Sequence, residues 1–100
     1  MTDEPFPPYQ PHSQTSFDAA AAALATASTK RAMVYRLIRN ASTRGMTDEE
    51  LELSTGWSGS TVRPRRRELQ TWQPEPLVMD SGRQRRTRKG RKAVVWVVTR

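Results

Sequence analysis

Apolar side chains recur at helical spacing between Lys30 and Asn40, where Val34, Leu37, Ile38 and Ala41 form an i, i+3, i+4, i+7 stripe. Arg31, Arg36 and Arg39 fall mostly off that stripe, and Ser42, Thr43 and Gly45 end the run. A shorter helix is expected from Met46 to Ser54. Thr47 stands at its N-cap, and Glu50 three residues on completes a capping box, with Met46 and Leu51 at the two positions of a hydrophobic staple. Asp48 and Glu49 suit the positive end of the helix dipole. Thr55-Gly56-Trp57 then reads as a turn, with Gly56 supplying a permissive backbone and Trp57 plugging the gap between helices. The next helix begins with Ser58 or Ser60 as cap and runs to about Trp72. Pro64 is tolerated only near a helix start, which favours Ser60. Pro74 and Pro76 stop the helix.

After the helices the period changes. Leu77 to Asp80 reads as a strand, Ser81 to Lys92 as a basic loop with turns at Ser81-Gly82 and Lys89-Gly90, and Ala93 to Thr99 as a returning strand around Trp96. Before Lys30, an alanine-rich helix spans Phe17 to Ala27, with Thr15 or Ser16 as cap and Asp18 in its first turn. Alanine packs weakly, so docking on the core and a role in dimerisation both stay open. Residues 1–16, with Pro5, Pro7, Pro8 and Pro11 among polar neighbours, read as a disordered proline-rich tail. The expected organisation is therefore tail 1–16, alanine-rich helix 17–29 and one domain over 30–100. Its class is mainly α with a β-hairpin (α+β). Leu37, Ile38, Leu51, Val62, Leu69 and Trp96 are the expected core.

Charge changes the picture. The chain of 100 residues carries a net +7, unevenly spread. Residues 1–29 hold Asp3, Glu4 and Asp18 and no Lys or Arg, whereas residues 30–100 hold all 17 basic residues against seven acids, a net of +10. Such self-repulsion adds nothing to stability and points to a polyanionic partner, nucleic acid being the commonest. The plain alternative is a solvated arginine-rich surface, but the charge is focused on two elements instead of scattered. No apolar run approaches the roughly 18 residues of a membrane span. The opening MTDEPFPPYQ lacks the basic start and apolar middle of a signal peptide, and cysteine is absent, so a cytoplasmic location is expected.

Winding the arginine-rich helix at about 100° per residue puts Val62, Leu69 and Trp72 on the core side. Ser60, Arg63, Arg67 and Thr71 project outward, while Arg65 and Arg66 flank the core and run along the helix edge toward phosphates or toward acids of the preceding helix. Arginine suits DNA because its planar fork bonds guanine O6 and N7 together, or grips a phosphate. The candidate contacts on this helix are Ser58, Ser60, Thr61, Arg63, Arg66, Arg67 and Thr71. Those after Ser81 are Arg83, Arg85, Arg86, Arg88, Lys89, Arg91 and Lys92, a tip residue or two entering a minor groove and the rest lying along phosphates. Catalysis has no footing: His12 is the sole histidine, no serine has a histidine partner, and capping explains Asp48, Glu49, Glu50 and Glu52. No enzyme activity, metal or cofactor is expected.

Three segments carry a family resemblance: GMTDEEL (Gly45 to Leu51), TVRPRRREL (Thr61 to Leu69) and DSGRQRRTRKGRKAVVW (Asp80 to Trp96). Over residues 30–98 the chain resembles the small winged helix-turn-helix DNA-binding proteins of bacteriophages and prophages of high-GC bacteria. The resemblance implies a recognition helix in the major groove and a basic hairpin wing. It also implies double-stranded DNA as partner, the bacterial cytoplasm or nucleoid as location, and a role as transcriptional regulator or recombination accessory factor. One departure is the link Gln73-Pro74-Glu75-Pro76, where the family usually has a shorter, glycine-containing one. A homodimer and a host or phage protein partner are both compatible with this reading. The rivals are a winged helix acting on RNA polymerase or a replication protein, marked by an apolar outer helix face, and an RNA binder, for which stacking aromatics are not interleaved with the basic residues.

Overall fold

The computed structural model describes residues 14–99. Four helices, α1 (Gln14–Thr26), α2 (Lys30–Asn40), α3 (Asp48–Thr55) and α4 (Gly59–Gln70), precede an antiparallel hairpin of β1 (Val78–Arg86) and β2 (Lys92–Val98). A single 3-10 turn, Ser42–Arg44, joins α2 to the stretch before α3. There Met46 and Trp96 exchange backbone hydrogen bonds of 2.9 and 2.8 Å, a one-residue bridge on the far side of β2 from β1. The class is mixed α+β. Among the described residues no helix is long and apolar enough to cross a membrane.

Local capping fixes the starts of α2 and α3. Thr29 caps α2, accepting from the Ala32 N–H at 3.1 Å. Thr47 and Glu50 form the reciprocal capping box of α3 at 3.1 Å each, and Gly56 ends α3 with φ +78. Gly45 is required by two constraints. Its φ of +67 is left-handed, and a Cβ there would lie 2.5 Å from the Trp96 carbonyl oxygen. Only a bare backbone lets the chain pass so close to β2 before entering α3.

Ile38, Leu51, Val62, Leu69, Val34 and Val78 are fully buried, and Met46 and Trp96 nearly so. Leu37, expected in the core, is half-buried and packs at its edge. Trp57 and Trp72 pack against the core from outside, each under a cation: Lys30 Nζ lies 5.6 Å from the Trp57 ring and the Arg31 guanidinium 5.0 Å from that of Trp72.

Three further expectations are corrected. Helix α1 starts at Gln14, so residues 14–16 belong to it instead of to a tail, Thr15 and Ser16 are not its cap, and Asp18 lies beyond its first turn. Glutamine extends a helix readily, and the burial of Phe17 seats that end. The rest of the expected tail, residues 1–13, lies outside the described residues. Helix α1 also docks more firmly than alanine alone would allow. Phe17 and Leu24 are buried, and the Arg36 guanidinium donates to the Leu24 and Ala27 carbonyls at 2.7 and 2.9 Å.

Ser58, not Ser60, is the N-cap of α4, which ends at Gln70. Pro64 therefore sits inside the helix. Both it and Ser60 are exposed, so the Ser60 carbonyl that loses a partner stays near water. Finally, the basic segment is mostly strand: pairing runs from Val78↔Val98 to Arg86↔Lys92, interrupted between Asp80 and Gln84. Ser81-Gly82 is that irregularity instead of a turn, with Gly82 at φ +84 donating to the Asp80 carboxylate at 2.8 Å. The turn lies farther out, at Thr87–Arg91, where Gly90 has φ +83.

Leu69→Ala is expected to cost about 2–5 kcal/mol in urea denaturation, the range for emptying a filled core site. Gly45→Ala is expected to cost about 1–3 kcal/mol in the same measurement, because neither the backbone angle nor the space beside Trp96 admits a Cβ.

Candidate nucleic-acid interface

The outward face of α4 follows from which residues its buried side consumes. Val62 and Leu69 face the core. Ser60, Arg63, Pro64, Arg67 and Thr71 are exposed, as is Ser58 before them, while Thr61 is half-buried. The Ser58 hydroxyl lies 2.9 Å from that of Ser60 and 3.4 Å from that of Thr61, leaving the helix entrance crowded with hydroxyls. The Thr71 hydroxyl bonds back along the helix, donating to the Arg67 carbonyl at 2.9 Å. Arg67 has no side-chain partner among the described residues. Arg63 reaches Glu52 at 3.6 Å and stays 59% exposed.

Arg66 is different. Its guanidinium grips the Asp48 carboxylate at 3.0 and 2.8 Å, reaches Gln70 at 2.8 Å, and lies over the Trp96 ring at 4.1 Å. Only 11% of the side chain is exposed. Arg66 therefore ties α4 to α3 and to β2, and is spent inside the protein. Helix periodicity placed it at the helix edge; the choice between an acid and a phosphate needed the fold.

The hairpin cations divide the same way. Arg85 donates to both Glu50 carboxylate oxygens at 2.8 and 2.7 Å, and to the Gly45 and Arg44 carbonyls at 3.1 and 3.2 Å. This guanidinium holds the Glu50 carboxyl below its usual range, outweighing the burial that would raise it, with the Thr47 N–H and Arg44 adding in the same direction. Glu50 in turn raises Arg85 above the ordinary arginine value. Arg83 donates to the Thr43 carbonyl, and Arg86 to the Gly90 carbonyl at 2.7 Å. The backbone N–H of Arg88 bonds the Glu49 carboxylate at 3.2 Å, which pins the turn while leaving the Arg88 guanidinium outside. The side chains of Arg88, Lys89, Arg91 and Lys92 are exposed and without partners among the described residues.

A cleft separates the start of α4 from the hairpin turn. It is lined by Arg63, Thr87, Lys89 and Arg91, and on the α3 side by Asp48, Glu49 and Glu52. Each of these acids is held by a basic or N–H group, and among the described residues no set of His, Cys, Asp and Glu is grouped to hold a metal ion. A further exposed cation that sequence reasoning passes over is Arg44, 65% exposed and 3.8 Å from Glu50. Its place after the helical stripe carried no signal. Set against family models, curated proteins and solved structures, the chain matches none.

Glu50→Gln keeps an oxygen for the Thr47 N–H but loses the charge facing Arg85. The variant is expected to be less stable by about 1 kcal/mol at neutral pH. Because the folded carboxyl is depressed, this contribution is present above the ordinary carboxyl value of 4.5 and lost as pH falls through the depressed one. Urea midpoints of parent and variant should therefore converge in acid. A gap that is constant with pH would rule out the charge pair as its source.

Proposed function

We propose that this chain is a winged helix-turn-helix domain that binds double-stranded DNA without catalysis, with α4 as recognition helix and the β1–β2 hairpin as wing. The element order supports it: α2, the one-residue bridge at Met46, α3, the turn at Gly56, α4 and the hairpin follow one another as that architecture requires. The observation that carries the reading is the sorting of the cations. Arg66 and Arg85, on the protein side, are neutralised by carboxylates. Arg67 on α4 and Arg88, Lys89, Arg91 and Lys92 at the hairpin turn are left to solvent, and Arg63 is only loosely held. A fold that spends its inner arginines and leaves its outer ones open offers phosphates a ready set of partners.

The protein-partner reading draws less support. Its mark would be an apolar outer face on α4, whereas Ser60, Arg63, Pro64, Arg67 and Thr71 stand there, and the exposed large apolar residues Met33, Leu53 and Met79 lie elsewhere. An RNA reading needs open aromatic faces, but Trp57, Trp72 and Trp96 lie under Lys30, Arg31 and Arg66. Regulation of phage or prophage transcription, or assistance in recombination, fits a small basic duplex binder.

Titrating labelled duplex across a salt series tests the proposal. Neutralising ~5 phosphates gives a log–log slope of about −4 to −5. Arg67→Ala should lose about 1–3 kcal/mol on a preferred site and relax preference at one base pair. Arg88→Ala should weaken all sequences alike and flatten the slope by about one. A slope near zero for the parent would end the DNA reading.

A further inference from the structure

The cleft between α4 and the hairpin is where a phosphate strand would pass if α4 and the turn each entered a groove, yet one wall of it is acidic. The three carboxylates there are not equivalent. Asp48 is clamped by the buried Arg66, and Glu49 accepts the Arg88 backbone N–H. Glu52 alone among them pairs with a cation of the outward α4 face, Arg63, at 3.6 Å, with 31% of Glu52 and 59% of Arg63 exposed. Resting on the duplex-binding reading, we infer that Glu52 is a specificity-determining residue: it competes with DNA phosphate for the Arg63 guanidinium and so holds down sequence-independent binding.

The physics is an exchange of partners. In a sequence-independent complex Arg63 can offer itself only to a phosphate, which presents the same single charge that Glu52 already supplies. The exchange gains little, and it leaves an unpaired carboxylate facing the strand. A guanine edge offers O6 and N7 together, a bidentate bond that a single carboxylate contact at 3.6 Å does not match. Arg63 thus stays with Glu52 on arbitrary DNA and leaves it for the right base. Removing the Glu52 charge frees Arg63 to take one more phosphate on any sequence.

The test is binding to a random-sequence duplex across a salt series for the parent, Glu52→Gln, Glu75→Gln and each change in an Arg63→Ala background. Glu75 lies in the link after α4 and has no ion pair among the described residues, so its variant carries the same change in net charge without freeing an arginine. Glu52→Gln should bind several-fold tighter and steepen the slope by about 0.9, one further phosphate neutralised. Glu75→Gln should leave the slope unchanged, and in the Arg63→Ala background Glu52→Gln should do no more than Glu75→Gln. Equal slopes for the two variants, or a Glu52 effect that survives loss of Arg63, would overturn the inference while the DNA reading stands. A parent that fails to bind duplex at low salt would overturn both, and it is read before any variant.

Discussion

Glu50 holds three parts of the molecule at one point. One oxygen accepts the Thr47 N–H and closes the start of α3, and both oxygens accept the Arg85 guanidinium from β1. That guanidinium continues to the Gly45 and Arg44 carbonyls, immediately before the Met46 bridge to β2. A helix start, a chain crossing and a hairpin strand thus share one carboxylate. The close crossing depends on Gly45, whose lack of a side chain lets the backbone lie against Trp96. Without the glycine the segment could not sit against the sheet, and Glu50 would not meet Arg85.

This junction also explains why an arginine-rich chain can fold around its charge. Asp48 takes Arg66, Glu50 takes Arg85, and Glu49 takes the N–H of Arg88. The acids of one short helix start therefore neutralise the cations that point inward and fasten the elements that carry the rest. On α4 and the hairpin, Arg67 and the cations at the turn point outward without a partner among the described residues. Pairs of this exposure contribute modestly one by one, so their value lies in geometry more than in summed energy.

Much of this was legible before the fold was known, and the line between legible and hidden is physical. The bounds of α2, Lys30–Asn40, follow from its apolar stripe, and the Thr47–Glu50 box from local spacing, because helix signals lie within four residues of each other. The length of the hairpin was hidden. Arginine and glutamine carry no alternation to mark a strand, and pairing with Lys92, Ala93 and Val94 across the turn is what makes Gln84, Arg85 and Arg86 extended. Local spacing favours Ser60 as the cap of α4 because proline obstructs a helix interior, whereas Ser60 and Pro64 both lie on the exposed face of α4, where water is at hand for the carbonyl that loses its partner. For Arg66 and Arg85 the residue type was right for either phosphate or carboxylate. Only the approach of Asp48 over 18 residues and of Glu50 over 35 decides between them.

The hairpin raises a last constraint. A two-stranded ribbon is marginal by itself, and this one carries like charges along nearly all of β1 beyond Gly82. In its outer half Val94 of β2 packs at the edge of the core, while the β1 arginines are held by polar ties. These are present at intervals: Arg83 to the Thr43 carbonyl, Arg85 to Glu50, and Glu49 to the Arg88 N–H near the turn. Each tie reaches the same short stretch of chain, residues 43–50. The ribbon is therefore presented in one orientation relative to α3, and through Arg66 relative to α4. Under the duplex-binding proposal, ordering a loose basic loop would cost entropy on association, and a ribbon already fixed avoids much of that cost. The same acids placed elsewhere on the surface would give the same net charge and leave the hairpin without its seat.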